Sequence, residues 1–371
     1  MSPWHAAHVG DPVSSIDTPA LVLELNAFER NLKRMADALA LRGIRLRAHA
    51  KSHKCPEIAR RQVAMGAVGV CCQKVSEAAV FVAAGLQDVL VTNQLMSAAK
   101  VARLFDLAAQ ARMGVLIDHP QQLALLRAQA AQSQVSLDVY VEVNVGANRC
   151  GAEPGEACVQ LAREIVASPF LRFAGLHCYH GGAQHMRLPD ERRQAIAQAS
   201  ATARQLRDAL QGQGIACERI TGAGTGTFLH ERDSGVFNEV QAGSYVFMDR
   251  DYSDNQLDAQ DLQFEHALFV KTTVMSHPTA ARAVLDAGLK ASSVDSGMPV
   301  VWQRPDLTFL KASDEHGVLQ VAPSSPLQLG DSLMLVPGHC DPTVNLYDEL
   351  ICIRDGLVED IWPISARGAL L

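Results

Sequence analysis

From about residue 44 the chain alternates short runs rich in β-branched and other apolar residues with longer runs whose apolar positions recur at i, i+3 and i+4. The first pattern fits a strand buried on both faces and the second a helix with one buried stripe, so their alternation predicts repeated βα units around a parallel sheet. Eight strands follow, over 44–50, 69–73, 88–93, 113–118, 137–145, 172–180, 219–224 and 239–247. Helices are predicted over 57–65, 75–84, 97–109, 121–131, 156–167 and 190–212. Eight βα units in about 200 residues have the count and size of a closed (β/α)8 barrel, a TIM barrel of the α/β class.

Beyond about residue 250 the texture changes. Alternating runs at 267–275, 282–286, 308–311 and 332–336, with a turn at 314–317, predict a C-terminal β-rich domain. The segment 19–25 also reads as a strand, and its place ahead of the barrel suggests pairing with that second domain. The expected organisation is a barrel over 26–250 and a β domain made of 1–25 and 251–371.

Composition supports a packed enzyme-sized chain: 371 residues, 48% hydrophobic and 20% charged. With 33 basic and 40 acidic residues the net charge is -7, and no basic run stands out, which argues against nucleic acid as a partner. No stretch approaches the roughly 20 apolar residues of a membrane span, and the start, with His5, His8, Asp11 and Asp17, lacks a signal peptide's layout. A cytoplasmic protein is expected. Nine cysteines without a C-x-x-C pair indicate neither a disulfide framework nor a zinc ribbon.

In such a barrel the working residues sit at the C-terminal ends of the strands. Here those ends carry His49-Ala50-Lys51-Ser52-His53-Lys54, Gln73, Asn93, Asn144 with Arg149, Tyr179-His180, the run Thr221 to Thr227, and Gly243-Ser244-Tyr245. In the run after strand seven, glycines alternate with threonine and alanine, so N–H groups and hydroxyls can converge on an anion where this fold binds phosphate; such a run also occurs as an ordinary turn. Lys51, flanked by histidines, has a setting that lowers a lysine's pKa and favours Schiff-base formation, although a strand-end lysine is ordinarily a solvated charge. Lysine and anion site across one mouth suggest pyridoxal phosphate. In His339-Cys340-Asp341, residues i and i+2 of an extended segment share a face, so His339 and Asp341 can hold a divalent cation while Cys340 points away; a hydrogen-bonded loop pair is the alternative.

Several segments together carry a resemblance: Asp17 to Leu21, His49 to Pro56, Cys72 to Ala78, Gly175 to Gly181, Thr221 to Gly226, Gln241 to Tyr245 and Pro337 to Asp348. They resemble the D-threonine aldolase and D-3-hydroxyaspartate aldolase group, within the wider family of D-serine dehydratases with the alanine racemase fold. The resemblance spans nearly the whole chain and implies a fold type III pyridoxal phosphate enzyme, usually a homodimer. It makes Lys51 the Schiff-base lysine and Arg149 the group near the cofactor's 3-oxygen, with Tyr179 beside the ring. It makes Thr221, Gly222, Gly224, Thr225, Gly243, Ser244 and Tyr245 the phosphate and ring cradle, with Gln73 nearby, and His339 and Asp341 the metal ligands.

Ala48 stands where relatives commonly carry proline. The metal motif is His-x-Asp, against His-x-Cys with zinc in the dehydratase branch, which favours the aldolase branch and a harder ion such as Mn2+ or Mg2+. The expected reaction is retro-aldol cleavage of a D-β-hydroxy-α-amino acid to glycine and an aldehyde, with His53 or His185 as base or water relay. The alternatives are a D-serine or D-3-hydroxyaspartate dehydratase and a non-catalytic pyridoxal phosphate carrier.

Overall fold

The structure, a computed structural model, describes residues 5–258 and 261–371. Strand β1 (Ala20–Glu24) runs straight into helix α1 (Leu25–Ala40), whose first N–H groups, those of Asn26 and Ala27, are taken by the Glu24 carboxylate. Eight parallel strands then close into a barrel: β2 (Arg45–His49), β3 (Gly69–Cys72), β4 (Asp88–Val91), β5 (Arg112–Ile117), β6 (Leu137–Glu142), β7 (Leu171–Cys178), β8 (Arg219–Gly222) and β9 (Glu239–Val240). All eight expected strands are present. The last is shorter than the pattern predicts, because after Val240 the chain leaves the sheet and coils into a 3-10 turn at Ser244–Val246.

Helices α2 (Pro56–Ala64), α3 (Val75–Ala83), α4 (Ala98–Ala108), α5 (Pro120–Ser133), α6 (Glu156–Val166), α7 (Pro189–Gly212) and α8 (Phe228–Asp233) follow the strands. Their starts are written locally. Proline opens α2, α5 and α7, where its missing N–H costs nothing. At α3 the Glu77 carboxylate reaches back to the N–H groups of Gln73 and Lys74.

The barrel interior is filled from below. At the strands' N-terminal ends Arg47 pairs with Asp88 at 2.6 Å and with Glu239 at 3.0 Å, and Asp138 takes Arg112 and Arg172, each at 2.8 Å. Burial works against the Arg47 charge, and the two carboxylates outweigh it. Above this ion cluster Cys71, Leu90, Leu116, Tyr140 and Ala174 form an apolar plug. The C-terminal mouth remains open for a ligand.

After α9 (Arg250–Ser253) come β10 (Leu268–Thr279), β11 (Arg282–Leu285), β12 (Val300–Val301), β13 (Leu307–Ala312), β14 (Gly317–Val321) and β15 (Ser332–Val336). The short helix α10 (Cys340–Val344) precedes β16 (Glu349–Arg354) and β17 (Leu357–Pro363). These strands form a nine-stranded sheet in the order β13-β14-β11-β10-β1-β16-β17, with β15 on β10 and β12 on β15. Strand β1 lies inside it, antiparallel to β10 and parallel to β16.

Helix α1 is an addition to the elements expected from the sequence. It buries Leu25, Phe28, Leu32, Met35 and Leu39 in one stripe, and Phe28 meets Trp362 edge-on with centroids 5.9 Å apart. Strand β15 ends at Val336, so the loop after it reaches the barrel mouth. Among the described residues no helix is long and apolar enough to cross a membrane.

Candidate active site

A cavity of about 390 Å³ opens at the barrel mouth, large enough for a cofactor with an amino acid beside it. Of the candidate residues it brings together Lys51, Gln73, Arg149, Tyr179, His185, Gly224, Thr225, Gly243, Ser244, His339 and Asp341.

Lys51 sits in a 3-10 turn, Ala50–Ser52, that begins where β2 stops and swings the side chain over the mouth. Its Nζ lies 3.4 Å from Asp341 Oδ2. The expectation of a lowered lysine pKa is corrected here: Asp341's carboxylate outweighs burial and holds Lys51 above its ordinary value. The flanking histidine does not add charge, because burial first and Lys51 second push His49 well below the usual imidazole range. His49 Nε2 is 3.1 Å from the Gln73 amide and 3.3 Å from Thr92 Oγ1, so Gln73 holds the imidazole beside the lysine.

On the wall formed after β8 and β9 the geometry suits a phosphate. The N–H groups of Gly224, Thr225, Gly243 and Ser244 donate to no acceptor among the described residues, and the buried Thr225 hydroxyl also lacks a partner. Buried polar groups are ordinarily satisfied, so this cluster is a place for an anion. There is no room for larger residues: a Cβ on Gly224 would fall 2.5 Å from Gln184 Oε1, and one on Gly243 would fall 2.6 Å from Ser52 Oγ and 2.7 Å from the His49 carbonyl. With Lys51 across the mouth, the residues present fit pyridoxal phosphate. Arg149 stacks over the Tyr179 ring at 5.6 Å and has no carboxylate partner among the described residues.

The facing wall comes from the sheet. His339 is extended, but Cys340 already begins α10, so the expected strand-like i, i+2 relation is replaced by a helix cap followed by a first helical turn. Both side chains still line the cavity, while Cys340 is buried and its N–H is taken by Asp249 Oδ2 at 2.9 Å. His339 Nδ1 is 2.8 Å from Asp295 Oδ2, which leaves Nε2 as the nitrogen free for a metal. Burial opposes the Asp341 charge, yet Lys51 and His339 hold its pKa below the ordinary carboxylate value. An imidazole and an ionised carboxylate, with Asp295 behind, form a donor set fit for a divalent cation with open positions.

Four candidates lie elsewhere. His53 is fully buried, with Nδ1 accepting from the Cys55 N–H and its ring edge-on to Phe81; burial lowers its pKa to about 4. Tyr245 is buried in the core, where its hydroxyl accepts from Gln62 and its ring lies 5.6 Å from Phe264. Thr221 accepts from the Gln241 amide inside the barrel wall, and the Gly222 carbonyl takes the Gln241 N–H. These residues support the cavity wall rather than line it. Thr221 faces inward beside His177 but lies under the Gln241 amide, and the 3-10 turn that brings Ser244 to the cavity rotates Tyr245 away.

Two family models match the chain: the N-terminal domain of alanine racemase over residues 23–251 and a putative serine dehydratase domain over 267–353. A D-threonine aldolase from an Arthrobacter species is 48% identical over 363 residues, 98% of this chain and 96% of that protein. The chain belongs to the D-threonine aldolase family. A 3-hydroxy-D-aspartate aldolase from Paracoccus denitrificans strain Pd 1222 is 45% identical, across 96% of this chain and 93% of its own. The crystal structure of D-threonine aldolase from Filomicrobium marinum matches with a TM-score of 0.97 at 48% identity, covering 99% of this chain and 100% of that one.

Within this D-threonine aldolase family member, several cavity residues had no role assigned from the sequence: Ser52, Thr92, His177, Gln241 and Tyr252. His177 and Gln241 face each other inside the barrel, with Nε2 3.1 Å from Oε1. Both lie on predicted strands, where a polar residue amid apolar ones was the available signal. Asp295 and Asp251 carried none, since Asp295 sits in an irregular polar stretch and Asp251 in the four-residue α9, and each meets its histidine only through tertiary contact.

Proposed function

We propose that this chain is a pyridoxal phosphate- and divalent-metal-dependent aldolase that cleaves D-β-hydroxy-α-amino acids, D-threonine among them, to glycine and an aldehyde. The observation that carries the reading is the convergence on one cavity of Lys51, the unpartnered N–H groups around Thr225 and Gly243, and the His339–Asp341 pair. Pyridoxal phosphate supplies an electron sink at the substrate's Cα, and a divalent ion, Mn2+ or Mg2+ by the hardness of the carboxylate ligand, supplies charge that acidifies the β-hydroxyl.

The chain's own residues do the rest. Lys51 would anchor the cofactor, and Thr225, Gly224, Gly243 and Ser244 would hold its phosphate. Arg149 and Tyr179 would border its ring. His339 and Asp341 would hold the metal. His185 lines the same cavity with Nδ1 bonded to Asp251, which leaves Nε2 to take the hydroxyl proton as the Cα–Cβ bond breaks. His53, buried against Phe81, takes no part. A homodimer is proposed from the family resemblance, with light scattering of the purified protein as its test.

The decisive assay offers D-threonine and D-serine to the cofactor-loaded protein, with and without EDTA and added Mn2+. Glycine and acetaldehyde, lost with EDTA and regained with Mn2+, support the aldolase. Ammonia and pyruvate from D-serine instead make the chain a dehydratase, and a bound cofactor with no turnover makes it a carrier.

A further inference from the structure

Asp251 is 6% exposed, and neither of its carboxylate oxygens is free. Oδ2 lies 2.7 Å from His185 Nδ1, and Oδ1 accepts from Arg187, whose other amino group bonds the Asp251 carbonyl and Asn255 Oδ1. The His185 ring also leans on Tyr252, with centroids 5.5 Å apart. The helix carrying these residues is pinned to the loop that bears His339 and Asp341: Arg250 and Asp251 donate their N–H groups to the carbonyls of Pro337 and Gly338. Asp249 bridges the same gap, accepting from the Tyr252 N–H at 3.0 Å and the Cys340 N–H at 2.9 Å.

A neutral imidazole has one donor and one acceptor nitrogen, and an ionised carboxylate only accepts. A carboxylate on Nδ1 therefore places the proton there and leaves the Nε2 lone pair for the substrate. Arg187, by occupying the second oxygen, prevents Asp251 from rotating away. We propose that Asp251 is a positioning residue for the aldol cleavage, fixing His185 in the Nδ1–H tautomer with Nε2 as the acceptor of the hydroxyl proton. The inference rests on the reading of His185 as the base. Through Asp249 and α9 it also places base and metal ligands on one frame, so that the two groups acting on the β-hydroxyl are positioned together.

The test is a double-mutant cycle on the cofactor- and Mn2+-loaded enzyme, with Asp251→Asn, His185→Gln and the pair, assayed with D-threonine. Asp251→Asn is expected to lower kcat by on the order of 100-fold with KM little changed, and the double variant is expected to be no slower than His185→Gln alone. A residue that merely braced the fold would add its loss to that of His185→Gln, and that result overturns the proposal, as does an unchanged kcat in Asp251→Asn. Full turnover by His185→Gln removes the base assignment itself and the proposal with it, a failure distinct from that of Asp251 alone. Nitrogen NMR of the histidine-labelled, unsubstituted enzyme, with the His185 signal assigned by its loss in His185→Gln, reads the tautomer directly. Protonation at Nδ1 supports the proposal and protonation at Nε2 overturns it, whether or not Asp251→Asn folds.

Discussion

Lys51 Nζ and Asp341 Oδ2 stand 3.4 Å apart, so the turn after the first barrel strand and the start of α10 meet in one ion pair at the cavity. Each partner has a second claim on it. In the proposed function Lys51 would anchor the cofactor and Asp341 would bind a metal, and their pairing keeps a lysine charged and a buried carboxylate ionised in a protein carrying neither group.

Removing the carboxylate's charge therefore separates the two functions. Asp341→Asn is expected to retain the cofactor's visible absorbance while D-threonine cleavage falls by more than about 100-fold at fixed Mn2+, since a proposed metal ligand is weakened. In the unsubstituted enzyme, chelation with EDTA should abolish cleavage and Mn2+ should restore it. Parallel spectra and rates across a Mn2+ titration check both statements.

Gly243 tests the phosphate wall. The atoms a methyl group would meet include the His49 carbonyl, which belongs to the backbone of β2 and has little freedom to move. Gly243→Ala is expected to cost about 1–3 kcal/mol of stability through overpacking and to weaken cofactor retention. Thermal melts and absorbance after dialysis measure the two effects.

His53 separates a supporting residue from a catalytic one. His53→Ala opens a cavity beside Phe81 and is expected to destabilise the protein by about 1–3 kcal/mol, with kcat per folded, cofactor-loaded molecule within a few-fold of the unsubstituted enzyme. A loss comparable to that of His185→Gln would return His53 to the chemistry.

The barrel was legible because each strand is a compact apolar run between helix signals, and Lys51, Thr225 and His339 stand where those runs end. Helix α1 carries an equally clear stripe at Leu25, Phe28, Leu32, Met35 and Leu39, which periodicity alone reveals once a helix is sought there. Strands β16 and β17 were harder. Ile351 and Cys352 are buried, β16 pairing with the sequence-distant β1 as well as with its own successor β17, whereas β17 buries Val358 and Trp362 but exposes Asp360 between them, where a register shift breaks the alternation. The orientation of Tyr245 was not legible, since a 3-10 turn and a strand point successive side chains differently and nothing local distinguishes them here. The partners Asp251 and Asp295 are fixed only by tertiary packing.

Glu231 gives the pH dependence. It is fully buried under the phosphate loop, accepts a hydrogen bond from Thr227 Oγ1, and burial lifts its pKa from 4.5 to about 7. Below pH 4.5 the carboxyl is protonated folded or unfolded and makes no difference between the states. From there to about pH 7 the unfolded chain has lost the proton that the folded chain keeps, so stability falls as pH rises, by about 3 kcal/mol over that window. Glu231→Gln is expected to remove this slope and to be the more stable protein at pH 8. Denaturant melts of both proteins from pH 5 to 8 decide it.

Strand β1 has a consequence for biosynthesis. Val22 pairs with Ile351, and between them lies the entire barrel. A ribosome delivers every barrel strand before it delivers β16, so the barrel can close around its own plug and ion cluster while β1 still waits for its parallel neighbour. The loop bearing His339 and Asp341 emerges late as well. During synthesis Lys51 is thus in place well ahead of His339 and Asp341, and the cavity they share at the barrel mouth is completed only when the loop after β15 has been made.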